Sequence, residues 1–173
     1  MKKTILLIFL VFIFGGICYG IYNVADMQND NKKIIYNDKT KQFIHNTPTS
    51  SISMMAKTKQ GIYYYGFSTC PWCKELLPIF NEVLKKQEKT SYVVNVKSKQ
   101  YTKADDLILK KFFKNYTNEE QLTVPFIVVI DSNGNVLTHV GTVSGHNAIE
   151  SRMNDKQKNK LIQQLSKIVS KES

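Results

Sequence analysis

Residues 61–73 read Gly-Ile-Tyr-Tyr-Tyr-Gly-Phe-Ser-Thr-Cys-Pro-Trp-Cys, and this stretch decides the fold. The run from Gly61 to Phe67 is apolar and aromatic with few polar breaks, which is typical of a strand that is covered on both faces. Cys70 and Cys73 follow at the spacing of one helical turn, and Pro71 suits the first position of a helix. The sequence therefore predicts a central strand that leads into a helix with two thiols at its start.

Cys70 is predicted to be the reactive thiol of this pair. A helix N-terminus carries about half a positive charge, which favours the thiolate, the form that attacks disulfides. Cys73 lies one turn later on the same face and can resolve a mixed disulfide by closing an intramolecular one. Trp72 is expected to face solvent and to offer a flat apolar surface to a polypeptide substrate.

Two cysteines at this spacing can also form half of a zinc site, which a second pair of cysteines or histidines usually completes. The third cysteine, Cys18, lies in an apolar leader, and His45, His139 and His146 stand singly at no ligand spacing. These counts favour redox chemistry. A non-catalytic module that binds a metal or a partner through the same two thiols stays open as the alternative. We expect His139 to be half-exposed and His146 to lie at the surface, and neither is assigned a role.

The residues after the thiols predict a strand–helix–strand unit. Apolar residues recur at helical spacing from Leu76 to about Lys89, and Pro78 is placed where it should kink the helix. Residues 92–96 read Tyr-Val-Val-Asn-Val and indicate another strand. Such a unit pairs its strands in parallel through a right-handed crossover.

Pro125 opens a second apolar segment, residues 126–130. A proline belongs at the first residue of a strand because it removes a ladder hydrogen bond. Taken alone it would be an ordinary trans proline, but with the upstream thiols we predict a cis bond. Asn133 and Gly134 then predict an antiparallel hairpin to residues 136–140, with positive φ values in the turn.

These motifs together resemble the thioredoxin superfamily over residues 61–145, about half of the chain. The resemblance implies an α/β thioredoxin-like fold with a central mixed sheet flanked by helices. Residues 70–74 match the family's redox motif with its trailing lysine, and Pro78 matches its kink proline. Residues 123–125 match the cis-proline loop, residues 126–136 match the closing strand–turn–strand, and Gly141 matches the glycine that ends that hairpin.

The resemblance implies that the backbone of Val124 and Pro125 lies beside the thiols and pairs with an extended substrate chain. It does not extend to Tyr64, which stands where thioredoxins carry a buried acid, six residues before the first cysteine. The stretch from Cys73 to Pro125 is also about a dozen residues longer than in thioredoxins. Within the superfamily, the tethered layout is similar to accessory proteins of Gram-positive bacteriocin export systems.

Residues 1–25 predict a signal-anchor or transmembrane segment that precedes the fold. Two lysines come before an uncharged run of 22 residues from Thr4 to Ala25, and ~20 residues are enough to span a bilayer. The basic start places the N-terminus in the cytoplasm and the redox domain outside, at the cell membrane. Cleavage after Gly20 would instead give a secreted protein.

Composition and charge complete the prediction. Residues 26–46 are rich in Asn, Asp and Lys and predict a tether, in which residues 33–36 and 42–44 could add an edge strand. Residues 47–173 predict the thioredoxin-like domain. The net charge of +10 favours anionic surfaces, but a single arginine, Arg152, argues against nucleic acid as a partner. The expected partners are a cysteine-containing polypeptide, the membrane and an unidentified redox partner, and no cofactor is required.

Three further helices are expected in the domain, each from apolar residues at helical spacing. The first covers residues 49–57. The second covers residues 103–116, with Thr102 and Asp105 as its cap. The core face of this second helix is formed by Leu109, Phe112, Phe113 and Tyr116. The third is an amphipathic C-terminal helix, whose core face is formed by Leu161, Ile162, Leu165, Ile168 and Val169.

Overall fold

A computed structural model of the chain describes residues 34–172. The segment predicted to anchor the protein, residues 1–25, and the first part of the predicted tether lie outside the described residues. Between residues 34 and 172, no helix combines the length and the apolar character that crossing a bilayer demands.

The described residues form strands and helices in the order that the sequence predicts. The strands are β1 (Phe43–Ile44), β2 (Gly61–Gly66), β3 (Ser91–Asn95), β4 (Phe126–Ile130) and β5 (Val136–Val140). The helices are α1 (Pro48–Ala56), α2 (Pro71–Lys86), α3 (Lys103–Tyr116) and α4 (Asp155–Val169).

The strands form one mixed sheet in the order β1-β3-β2-β4-β5. β3 pairs in parallel with both β1 and β2, while β4 pairs antiparallel with β2 and with β5. This order confirms β2 as the central strand and confirms the parallel β2–α2–β3 unit. The architecture is that of a thioredoxin-like α/β fold, with helices on both faces of a mixed sheet.

The alternation of side chains along β2 divides the core into two layers. Tyr64 points to one face, where it packs with residues of α2 and α4 such as Phe80 and Leu161. Tyr63 and Tyr65 point to the other face, towards α1 and α3. All three tyrosines are fully buried, so the aromatic run that predicted a covered strand is explained by helices on both sides.

The hairpin between β4 and β5 is antiparallel as predicted, but its turn differs at Asn133. Of the two central residues expected to have positive φ, only Gly134 does, with φ of 81°. The carboxylate of Asp131 accepts the backbone N–H of Asn133 at 2.8 Å and of Asn135 at 2.9 Å. Because this Asp-centred turn holds Asn133 in an ordinary conformation, Gly134 alone supplies the left-handed residue.

Two further expectations are refined at the ends of elements. Phe43 belongs to the edge strand β1 and is buried, so the end of the predicted tether is part of the sheet, as residues 42–44 allowed. The Thr102–Asp105 capping box of α3 is confirmed. Tyr116 is not in the core: it is 43% exposed, because it is the last residue of α3 and its ring packs on Phe112 with centroids 4.4 Å apart.

Candidate active site

Cys70 lies at the junction between the central strand and helix α2. It is the N-cap residue of α2, and Pro71 is the first helical residue, as predicted. The sulfur of Cys70 accepts the backbone N–H of Cys73 at 3.2 Å. The thiol therefore occupies the place where a helix offers unsatisfied N–H groups and the positive end of its dipole.

The two thiols differ strongly in acidity. The pKa of Cys70 is lowered from 9.0 to about 7, mainly by the hydrogen bond with the Cys73 side chain and then by the backbone N–H groups of Cys73 and Trp72. The same hydrogen bond, together with burial, raises the pKa of Cys73 far above its ordinary value. Cys70 is 5% exposed and Cys73 is fully buried. Cys70 is thus the more acidic thiol and the only one of the two with any exposure, and Cys73 is the protonated partner behind it.

The loop before β4 lies directly beside Cys70. The Val124–Pro125 peptide bond is cis, as predicted, and the carbonyl oxygen of Val124 lies 3.8 Å from the Cys70 sulfur. The carbonyl oxygen of Pro125 accepts the N–H of Gly141 at 2.8 Å, which ties this loop to the end of β5. The fold therefore brings Cys70, Cys73, Val124 and Pro125 together.

A groove of about 500 Å³ runs from this loop towards the residues that follow β5. Trp72 is half-buried in its wall rather than fully exposed, and Val124, Val140 and Val143 make the groove largely apolar. The structure therefore places Trp72 and Val124, two of the three residues predicted to bind substrate, on one concave surface.

His146 was expected at the surface, and this expectation is wrong. It is buried in the groove wall, where Nδ1 lies 2.8 Å from the Thr142 hydroxyl and Nε2 donates to the carbonyl oxygen of Ser151 at 3.0 Å. These partners come from a loop without regular structure, so no periodic pattern could reveal them. His139 is half-exposed, as expected, and burial of its ring lowers its pKa below 6.5.

Two tyrosines near Cys73 were not predicted as site residues. Tyr64 of β2 interacts with the Cys73 thiol and with the hydroxyl of Tyr36. Tyr36 comes from the N-terminal segment before β1; burial raises its pKa, and negative charge developing on Cys73 or Cys70 would raise it further. The replacement of an acid by Tyr64 could be seen in the sequence, but the arrival of Tyr36 from outside the resembling region could not.

The potential ligands near the thiols do not form a recognisable metal site. Over residues 34–172, no group of three or more His, Cys, Asp or Glu side chains is arranged to hold a metal ion. The chemistry that the site can perform with its own residues is thiol–disulfide exchange between an acidic thiol and a protonated neighbour.

Comparisons with known proteins give a structural likeness only. No family model matches the chain, and no match is found among curated proteins. Among solved structures, the chain is similar to the crystal structure of chloroplastic thioredoxin z, with 12% identity and a TM-score of 0.40, covering 74% of this chain and 97% of that one. The thioredoxin-like fold therefore follows from the chain's own strand order, cis-proline and cysteine pair.

Proposed function

We propose that the protein is a membrane-tethered, extracytoplasmic thiol–disulfide oxidoreductase that acts on the cysteines of secreted proteins or peptides. The observation that carries this proposal is the environment of Cys70, a slightly exposed sulfur at a helix N-terminus with a pKa of about 7 and a protonated thiol behind it. Such a pair has the acidity and the geometry that disulfide exchange requires.

The exchange balances with the two thiols and a substrate disulfide alone. The Cys70 thiolate attacks one substrate sulfur, the substrate S–S bond breaks, and the other substrate sulfur leaves as a thiolate that takes up a proton. Cys73 then loses its proton and attacks Cys70, which releases the second substrate sulfur and closes the Cys70–Cys73 bond. The substrate gains two electrons and the pair is oxidised; the reverse sequence oxidises a substrate dithiol.

The groove and the cis-proline loop supply the substrate-binding part of the proposal. An extended chain laid along the backbone of Val124 and Pro125 would bring its cysteine to the Cys70 sulfur, and Trp72 would cover an apolar neighbour of that cysteine. Extracytoplasmic action is supported by the uncharged leader and by the cysteine count, since residues 26–173 contain only Cys70 and Cys73. Stray thiols are disfavoured in oxidising compartments.

Single substitutions at the two cysteines test the exchange. Cys73→Ala should accumulate mixed disulfides between Cys70 and substrate, detected on non-reducing gels, while Cys70→Ala should abolish turnover of a model disulfide. Full activity of Cys70→Ala would refute the proposal. Stoichiometric retention of zinc by the wild-type protein, with no disulfide exchange, would favour the metal-binding alternative instead.

The location is tested separately. In sealed right-side-out membrane vesicles, added protease should degrade the domain, and the protein should remain with the membrane after a wash at high pH. Protection of the domain from protease, or its release by the wash, would contradict the proposed topology without affecting the proposed chemistry.

A further inference from the structure

The hydroxyl of Tyr64 occupies a space that the chain keeps open. The ring is fully buried and stacks on Phe80 with centroids 6.0 Å apart. The hydroxyl extends along the strand over Gly66, which lies two residues later on the same face; a Cβ at Gly66 would overlap the hydroxyl and lie 2.7 Å from the ring carbon that carries it. Glycine at this position therefore leaves room for the hydroxyl at the end of β2, the strand that leads into the Cys70–Cys73 segment.

A second buried hydroxyl arrives beside the first from the N-terminal segment. Tyr36 packs against the core layer that contains Tyr64, and its hydroxyl interacts with that of Tyr64. Within residues 34–172, neither hydroxyl makes a hydrogen bond of good geometry. Burying a hydroxyl without a partner is unfavourable, so this pair is poorly satisfied while both cysteines are reduced.

Both hydroxyls remain protonated near neutral pH. Burial raises the pKa of Tyr64 and of Tyr36 well above 10.0, so each can donate a hydrogen bond but neither supplies a charge. Cys73 is faced by the Cys70 sulfur from its own helix, by Tyr64 from β2, and by the backbone of Phe67. Of the side chains, Tyr64 lowers the pKa of Cys73, while Cys70 raises it.

We propose that Tyr64 and Tyr36 act as positioning residues for the resolving step, with the Tyr64 hydroxyl donating a hydrogen bond to the Cys73 sulfur as that sulfur becomes a thiolate. This inference rests on the proposed function and deepens it. Tyr36 contributes by packing against the core layer that contains Tyr64. A residue outside residues 61–145, the region that resembles thioredoxins, thereby becomes part of the active site.

The two tyrosines assist the resolving step without being chemically changed by it. In the mixed disulfide, Cys70 is bonded to the substrate sulfur and no longer bonds the Cys73 thiol. Cys73 gives up its proton, attacks the Cys70 sulfur, and the departing substrate thiolate takes a proton in return. The tyrosines keep their own protons throughout. The Tyr64 hydroxyl lacks a well-formed hydrogen bond before the step and donates one as negative charge develops on the Cys73 sulfur. This interaction is therefore stronger at the transition state than in the reduced protein.

Tyr64→Phe tests the proposal because it removes only the hydroxyl. In the full chain with Cys18→Ser, the test uses 5,5′-dithiobis(2-nitrobenzoate), which releases one coloured thiolate when Cys70 attacks and a second when Cys73 resolves. The first release should be unchanged, and the second should slow by about tenfold or more, the effect expected for a lost hydrogen bond to a charged group. The pH midpoint of the second release should move upwards.

Two further variants make the result specific. Tyr36→Phe should slow the second release in the same direction by a smaller factor. Tyr65→Phe is the matched control: it removes a buried hydroxyl from the neighbouring residue of the same strand, where the partner is the Met55 sulfur at 3.0 Å on the opposite face. Both releases should be unchanged in this control.

Each outcome bears on a separate claim. A folded Tyr64→Phe protein whose second release keeps its wild-type rate and pH midpoint would overturn the role of the tyrosines, as would an equal slowing in Tyr65→Phe. A missing first release in the wild-type protein would instead overturn the proposed function. Because the Tyr64 hydroxyl has no well-formed hydrogen bond to lose in the reduced state, Tyr64→Phe should unfold at the same denaturant concentration as wild type or a higher one.

Discussion

Replacing Cys73 by alanine removes the side chain that contributes most to the acidity of Cys70. The wild-type Cys70 thiol should titrate at a pH of about 7. In Cys73→Ala its pKa should rise, because the S–H donor is lost. The backbone N–H groups of residues 72 and 73 and the charge of Lys74 remain and continue to favour the thiolate.

The size of the kinetic effect follows from the two pKa values. At pH 7 a thiol with a pKa of about 7 is half ionised, whereas one with a pKa of 9.0 is ~1% ionised, a difference of about fiftyfold in thiolate. A less basic thiolate is also a weaker nucleophile, by roughly six- to tenfold over two pKa units. The net advantage of Cys70 at pH 7 is therefore about five- to eightfold per thiol, and it should reverse above a pH of about 8.

The measurement is the rate of alkylation by iodoacetamide as a function of pH, read peptide by peptide with mass spectrometry so that Cys18 does not contribute. The pH midpoint is compared rather than the absolute rate, because Cys70 is only 5% exposed and limited access lowers the rate at every pH. A wild-type midpoint at or above that of free cysteine, about 8.5, would refute the reasoning. So would an unchanged midpoint in Cys73→Ala.

Three further predictions concern stability and can be checked by denaturant unfolding of the full chain. Leu165→Ala should cost about 2–5 kcal/mol because this α4 side chain is fully buried, whereas Gln164→Ala, at the exposed position beside it, should change little. Thr102→Ala should cost about 1 kcal/mol through loss of the α3 cap. Stability should fall as the pH is lowered through 6.5, since the unfolded chain takes up a proton that the partly desolvated ring of His139 resists in the folded protein. His139→Gln should remove this contribution, and an identical pH profile in that variant would contradict the assignment.

The parts of the molecule that sequence reasoning predicted are those that depend on neighbours along the chain. The helix start at Pro71, the capping box at Thr102 and the glycine in the hairpin each follow from residues within one turn of each other. The central position of β2 followed from its unbroken apolar character, because only a strand covered on both faces tolerates three consecutive aromatic residues. The cis bond at Pro125 could be predicted only by considering the upstream thiols as well as the local pattern.

The parts that sequence reasoning missed depend on long-range contacts. His146 is buried because Thr142 and Ser151 satisfy both ring nitrogens, and no spacing rule describes such a loop. Asn133 keeps an ordinary backbone because the Asp131 carboxylate captures its N–H, which competes with the preferred turn of an Asn-Gly pair. Tyr36 packs beside Tyr64 from a segment that was predicted as a tether or an edge strand, and residues 34–36 form no strand.

The short strand β1 has a practical consequence for shortening the chain. Its neighbour Gln42 accepts the N–H of Ser91 at 2.8 Å, and Phe43 packs on Phe80 with ring centroids 6.1 Å apart. A version trimmed to begin at residue 47 would leave β3 as an uncovered outer strand, with bare backbone groups ready to pair with another molecule. Trimming should therefore stop before Gln42, and samples that lack β1 are expected to self-associate.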